Sequence, residues 1–198
     1  DRARVYARLD LEPLLFHLAE ENLRKARGIQ EESAKTEETK KRELELQVLK
    51  YSAVAIVFAE AAVEGYLNWT LEHAMLTHVD DFRRMLGEMI DRIRSPVWVR
   101  WINIIEATGL LATQKWASVP DQVRKDAEWL TALRNFIVHS KARLRPTDEL
   151  PKKVGRRVVT EAEQRLTLEN AEKATRIARD LIKELHRFEK TAPPSWIE

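Results

Sequence analysis

The chain has 198 residues, 44% of them apolar and 33% charged, yet its net charge is only +2. That length supports one packed domain, and five glycines among so many charged residues favour helices over strands and turns. With no cysteine, disulfide scaffolds, thiol catalysis, thiolate zinc sites and iron–sulfur clusters are excluded.

The first helix is expected from about residue 11, with Pro13 in its first turn and Leu14, Leu15, Leu18 and Leu23 along one face, fading near Gly28. Residues 29–41 are polar, mix Glu with Lys and show no apolar face, so they read as a connection that is a solvated helix, a mobile segment, or both in exchange. A long helix is predicted from Arg42 to His78. Leu44, Val48, Tyr51, Ala55, Phe58, Ala62, Tyr66 and Trp69 form its stripe, and Val54, Val57 and Leu67 broaden it. Short helices are expected at Asp81–Ile93 and Val97–Glu106, separated by Pro96, with Trp98, Trp101, Ile102 and Ile105 buried in the second.

The run Ser118-Val-Pro-Asp121 signals the start of a helix that reaches about Ser140 and buries Trp129, Leu130, Leu133, Phe136 and Ile137. Pro146, Pro151 and Gly155 prevent one regular helix over Lys141–Arg157. A last helix begins near Thr167, with Asn170 three residues on. Its stripe is Ala171, Ala174, Ala178, Leu181, Leu185 and Phe188, and it ends before Pro193-Pro194. No strand pattern or internal repeat is visible. The reading is an all-α, antiparallel up-and-down helical bundle over 1–198, with short inserted helices, a core at about 42–190 and a tail at 191–198 in which Trp196 packs locally or stays disordered. The longest nearly apolar stretch, Ala53 to Val63, is broken by Glu60 and too short to span a bilayer, so no membrane partner is expected. No signal peptide is recognisable, although a segment may precede Asp1, and the cytoplasm is the expected compartment.

Charge is unevenly distributed. Lys141, Arg143, Arg145, Lys152, Lys153, Arg156 and Arg157 face only Asp148 and Glu149 within one loop. Such a loop suits phosphate backbones, since Lys and Arg gain by releasing condensed counterions. An exposed loop that merely collects charge gives the same pattern.

The zincin, di-iron, P-loop, dinucleotide and nucleophile-elbow motifs are all absent, and His73 and His78 do not share a helix face. One segment stands out, Leu133-Arg134-Asn135-Phe136-Ile137-Val138-His139. On a helix Leu133, Phe136 and Ile137 face the core, while Asn135 and His139 lie one turn apart outside, with Arg134 on the other flank and Val138 between. A His can move a proton near neutral pH, an Arg can stabilise charge on a phosphoryl oxygen, and an Asn can orient either. RNA supplies its own 2′-OH nucleophile, so phosphodiester cleavage here needs no metal or cofactor. The plainer alternative is a surface Arg, an incidental Asn and a His favoured by the helix C-terminus.

Arg134-Asn135-x-x-x-His139 on a late bundle helix resembles the R-N-x-x-x-H form of the HEPN domain family. The segment Phe58-Ala-Glu-Ala-Ala-Val-Glu-Gly-Tyr-Leu-Asn68 and the final helix after Thr167-Leu-Glu-Asn170 are similar to that family's central and last helices. The resemblance covers parts of Lys50–Lys190, and only the R-N-x-x-x-H segment is specific; the first helix and the Trp-rich insertion have no counterpart in it. It implies a metal-independent endoribonuclease that leaves a 2′,3′-cyclic phosphate, with His139 as acid/base, Arg134 stabilising the phosphate and Asn135 orienting. It also implies a homodimer whose motif helices meet across a cleft, and a toxin–antitoxin or antiviral role, with an antitoxin such as a nucleotidyltransferase.

Arg134 and His139 lie about 140° apart on one helix and converge poorly without a second copy. Val138 would then be a dimer contact. Glu60, Glu64 and Asn68, at successive i+4 positions, are candidates for supporting Arg134 or His139 from behind, or else form a solvated edge or dimer seam. The basic loop, from Lys141 to Arg157, would hold RNA. The alternatives are a helical module that binds a partner protein, RNA or nucleotide without cleavage, and a purely structural adaptor.

Overall fold

Prolines and left-handed residues punctuate the helices of this chain. The computed structural model describes residues 11–77, 96–139, 153–154, 157–158 and 161–197. In chain order these form α1 (Leu11–Ser33), α2 (Glu38–Thr77), α3 (Val97–Thr113), α4 (Asp121–His139), β1 (Lys153–Val154), β2 (Arg157–Val158), α5 (Glu161–Arg165), α6 (Leu168–Glu189) and a 3-10 turn (Ser195–Ile197). Pro13 occupies the first turn of α1, and Pro96 immediately precedes α3. α3 stops where Gln114 turns left-handed at φ 55°, its N–H donating to the Leu110 carbonyl. α4 opens on Pro120, whose carbonyl accepts from Arg124 N–H, with Asp121 in the first turn as its charge favours. At α6 the Thr167 hydroxyl accepts from Asn170 N–H at 3.1 Å, and Asn170 Nδ2 donates back to the Arg165 carbonyl at 2.8 Å.

α2 and α6 are the central pair: α1 packs along both, and α3 and α4 close the remaining sides. Ala55, Ala59 and Ala62 on α2 and Ala171, Ala174 and Ala178 on α6 are fully buried. Such small residues let helix axes approach closely, and Phe16, Ile56, Leu67, Trp101, Ile102, Ile105, Leu130, Leu181 and Leu185 fill the space around them. Gly109 marks another close approach. A Cβ there would lie 2.8 Å from Phe188 Cδ1. Between α3 and α4, the buried Glu106 carboxylate accepts from Val119 N–H at 2.9 Å and pairs with Arg124, fixing how α4 leaves the loop.

The all-α class is what the sequence predicts, but several details differ. α1 runs to Ser33 and α2 starts at Glu38, so residues 34–37 join them instead of 29–41, and most of that polar stretch takes the solvated-helix alternative. Residues without an apolar face can remain helical when Glu and Lys are good helix formers and each end continues into a packed segment. α3 extends seven residues beyond Glu106 and buries Ala107, Thr108 and Gly109 against the core. On α2 the most buried residues include Ile56, Ala59 and Val63, whereas Phe58 and Val57 are half-buried, because several helices surround this one. Trp101 is in the core as expected, and Trp98 is half-buried against it.

The basic segment contains a two-stranded antiparallel ribbon, Lys153 opposite Val158 and Val154 opposite Arg157, too short for a strand periodicity to register. The tail also differs from expectation. Trp196 lies 5.8 Å from Phe16 and 5.6 Å from Tyr66 between ring centroids, and Ile197 is fully buried, so the last residues fasten α1 to α2. Finally, α2 from Lys40 to Ala74 is long and apolar enough to suit a membrane crossing. The sequence reading considered only the nearly apolar stretch from Ala53 to Val63. A central bundle helix meets the same test, and the apolar residues of α2 pack against α1 and α6. The predicted helix at Asp81–Ile93 and His78 lie outside the described residues.

Candidate functional site

α4 carries the R-N-x-x-x-H motif on its last two turns. Ala127, Leu130 and Leu133 anchor the helix in the core, which leaves Asn135, Val138 and His139 exposed beyond the packed face. Val138 is a half-exposed apolar side chain, 50% accessible. His139 sits in the final turn of the helix.

Arg134 is held from two sides. Its Nη1 donates to Asn135 Oδ1 at 3.1 Å. Its Nε lies 3.4 Å from Glu60 Oε2, an electrostatic contact that leaves the buried Nε–H without a hydrogen-bond acceptor. Glu60 is only 2% exposed on α2, and burial pushes its carboxyl up to about 7, with Glu64 adding to the rise and Arg134 opposing it. The Arg134 guanidinium is therefore only partly neutralised, and its outer face remains open to an anion.

The three supporting candidates on α2 separate. Glu60 reaches Arg134, Glu64 pairs with Arg100 of α3 at 3.7 Å, and Asn68 is exposed. Each i+4 step overshoots a full turn by about 40°, so three such residues drift around the helix instead of converging. Of the basic loop, only Lys153 and Arg157 fall in described backbone, as partners in the ribbon; Lys141, Arg143, Arg145, Lys152 and Arg156 lie outside the described residues. Arg165, which precedes α6, stacks 4.7 Å over the Phe136 ring and so brings another cation beside the motif.

Sequence reasoning passed over a buried polar chain on the far part of α2. Tyr66 Oη and His186 Nε2 share a hydrogen bond at 2.7 Å, and His186 Nδ1 and Thr191 Oγ1 share another at 2.6 Å. Burial lowers the His186 pKa and pushes the Tyr66 phenol up to about 12, so both stay neutral near pH 7. The Glu189 carboxyl is raised by burial, and a hydrogen bond from Thr191 partly offsets that rise. The chain is satisfied within itself and ties the end of α6 to α2. Its only signal in the sequence was His186 lying beside the Leu185–Phe188 stripe.

Among the described residues, no group of three or more His, Asp or Glu side chains could hold a metal ion. What the motif offers is acid–base and charge chemistry on an exposed helix end, with one arginine supported from the core. No protein-family model, curated protein or solved structure matches the chain.

Proposed function

We propose that this chain is a metal-independent endoribonuclease of the HEPN type, acting as a homodimer on RNA. The observation that carries the reading is Arg134, fixed by Asn135 and the buried Glu60, on the same exposed helix end as His139. In the reaction the RNA 2′-OH attacks the adjacent phosphorus, and the P–O5′ bond breaks to leave a 2′,3′-cyclic phosphate and a free 5′-OH. His139 takes the 2′-oxygen proton or supplies one to the departing 5′-oxygen, and the other proton is exchanged with the second copy's His139 or with water. Arg134 stabilises charge on the non-bridging oxygens, and Asn135 holds its guanidinium plane.

The two side chains diverge on one helix, so the active pair forms between two copies, with Val138 at the contact. A bundle of HEPN arrangement, the cytoplasm as compartment, RNA held by the basic loop after α4 and an antitoxin that covers the motif belong to the same reading. The test is RNA cleavage in EDTA by the wild type and by His139→Ala, with the product ends identified.

A second reading has its own support. Arg134 already has two partners within its own chain, which also suits a module that binds RNA or protein without cutting. A folded dimer inert toward total RNA would favour it.

A further inference from the structure

Between α1 and α6 runs a charged groove of about 630 Å³. Arg24 and Arg27 from α1 and Arg176 and Arg179 from α6 line it, against only two carboxylates, Glu20 and Glu172. Both carboxylates are engaged: Arg27 Nη2 lies 2.7 Å from Glu172 Oε1, and Arg179 Nη2 lies 2.7 Å from Glu20 Oε1. Arg24 and Arg176 make no salt-bridge contact with a described residue, although Glu21 and Asp180, one on each helix, feel their charge. The Arg179 guanidinium packs 5.5 Å from the Phe16 ring, and its buried Nε has no hydrogen-bond acceptor. The groove therefore combines two guanidinium groups fixed in ion pairs, two without a direct carboxylate contact and an unmet donor. An oxyanion with several acceptor oxygens complements that set, and the planar fork of Arg matches phosphate in particular.

The position of the groove adds a second argument. Glu172 and Lys173 are consecutive on α6 and reach opposite neighbours. Glu172 pairs with Arg27 of α1, whereas Lys173 Nζ sits 4.1 Å over the Trp129 ring of α4. Arg165, just before α6, lies over Phe136 within the motif itself. The first turns of α6 thus have the groove on one side and the motif helix on the other, with Lys173 and Arg165 in between.

We propose that the α1–α6 groove is a phosphate-binding subsite for an RNA strand that also reaches the motif, with Arg24 and Arg176 contacting its phosphates. The identity of the strand as RNA rests on the ribonuclease reading. The affinity for phosphate follows from the groove alone.

The test measures binding of a fluorescent single-stranded RNA of about 20 nucleotides by the full chain carrying His139→Ala, which keeps the RNA intact, across a series of salt concentrations. Adding Arg24→Gln and Arg176→Gln together weakens binding about 10-fold and lowers the salt slope by about 1.4, the share of two phosphate contacts on a single strand. Arg24→Lys with Arg176→Lys keeps the slope and decides the matter if the Gln variant loses its helical circular dichroism. Affinity and slope that ignore these substitutions would overturn the proposal. So would tripolyphosphate displacing the RNA as well as unlabelled RNA does at equal phosphate concentration, since the groove would then hold a free anion and not a strand. Cleavage by the wild type, measured alongside, separates the two readings. His139-dependent cleavage with binding indifferent to Arg24 and Arg176 removes the subsite alone. Arginine-dependent binding by a chain that never cleaves removes the ribonuclease alone.

Discussion

Arg134 Nε lies 3.4 Å from Glu60 Oε2, so a nearly solvent-free carboxylate on α2 supports the arginine of the exposed motif on α4. The contact joins the core to the candidate site. Burial opposes the charge on Glu60 and holds its carboxyl up to about 7, while Arg134 pulls it down. The charge that steadies Arg134 is therefore present above neutral pH and lost below it.

A stability prediction follows from the direction of that shift. The folded-state pKa is raised above the ordinary 4.5, so the native state binds more protons than the unfolded chain between those values. Stability from this group is fully present below pH 4.5 and is lost as pH rises through about 7. Thermal melts of wild type and Glu60→Gln at pH 5 and pH 8 check it. The wild type loses on the order of 2 kcal/mol more than the variant over that interval.

Val138 is predicted to be an association contact. It is 50% exposed between Asn135 and His139, and no core residue depends on it. Val138→Asp leaves the helical content and melting temperature of the chain within about 0.5 kcal/mol of wild type but shifts sedimentation toward the monomer. Cleavage falls with the dimer population.

Gly109→Ala tests the approach of α3 to α6. The added methyl would meet Phe188 Cδ1 at 2.8 Å and Cβ at 2.9 Å, on a side chain that is itself mostly buried. Overpacking of this kind costs about 1–3 kcal/mol, read as a lower urea midpoint at unchanged slope. Phe188→Leu in the same chain restores part of the loss.

Trp196 tests whether the tail belongs to the core. Its ring meets Phe16 and Tyr66, and Ile197 beside it is fully buried. Trp196→Ala destabilises by about 3 kcal/mol, whereas Ser195→Ala, on the exposed side of the same turn, changes little.

The parts of this fold that are legible in the sequence are those governed by local chemistry. Thr167 with Asn170 three residues on predicts a cap, and that hydrogen bond is present at 3.1 Å. The Ala171–Phe188 stripe predicts the buried face of α6, and all six of its residues are buried. Features that depend on distant partners were not legible. Trp196 has no periodicity to betray a contact with residues 130 or more positions away, and nothing local to His186 points to Tyr66, which meets it from α2. The candidate site is intermediate. Arg134, Asn135 and His139 share a helix and could be read from spacing, but only the packing of α2 against α4 distinguishes Glu60 from Glu64 and Asn68.

The most direct measurement is cleavage of total RNA by purified wild type and His139→Ala in EDTA, with product ends analysed. His139 is exposed, so its replacement leaves the fold intact. The account predicts cleavage by the wild type to 2′,3′-cyclic phosphate ends, and a loss of about 10²–10⁴-fold in the variant. No cleavage by a well-folded wild-type dimer, or equal cleavage by both chains, would contradict it.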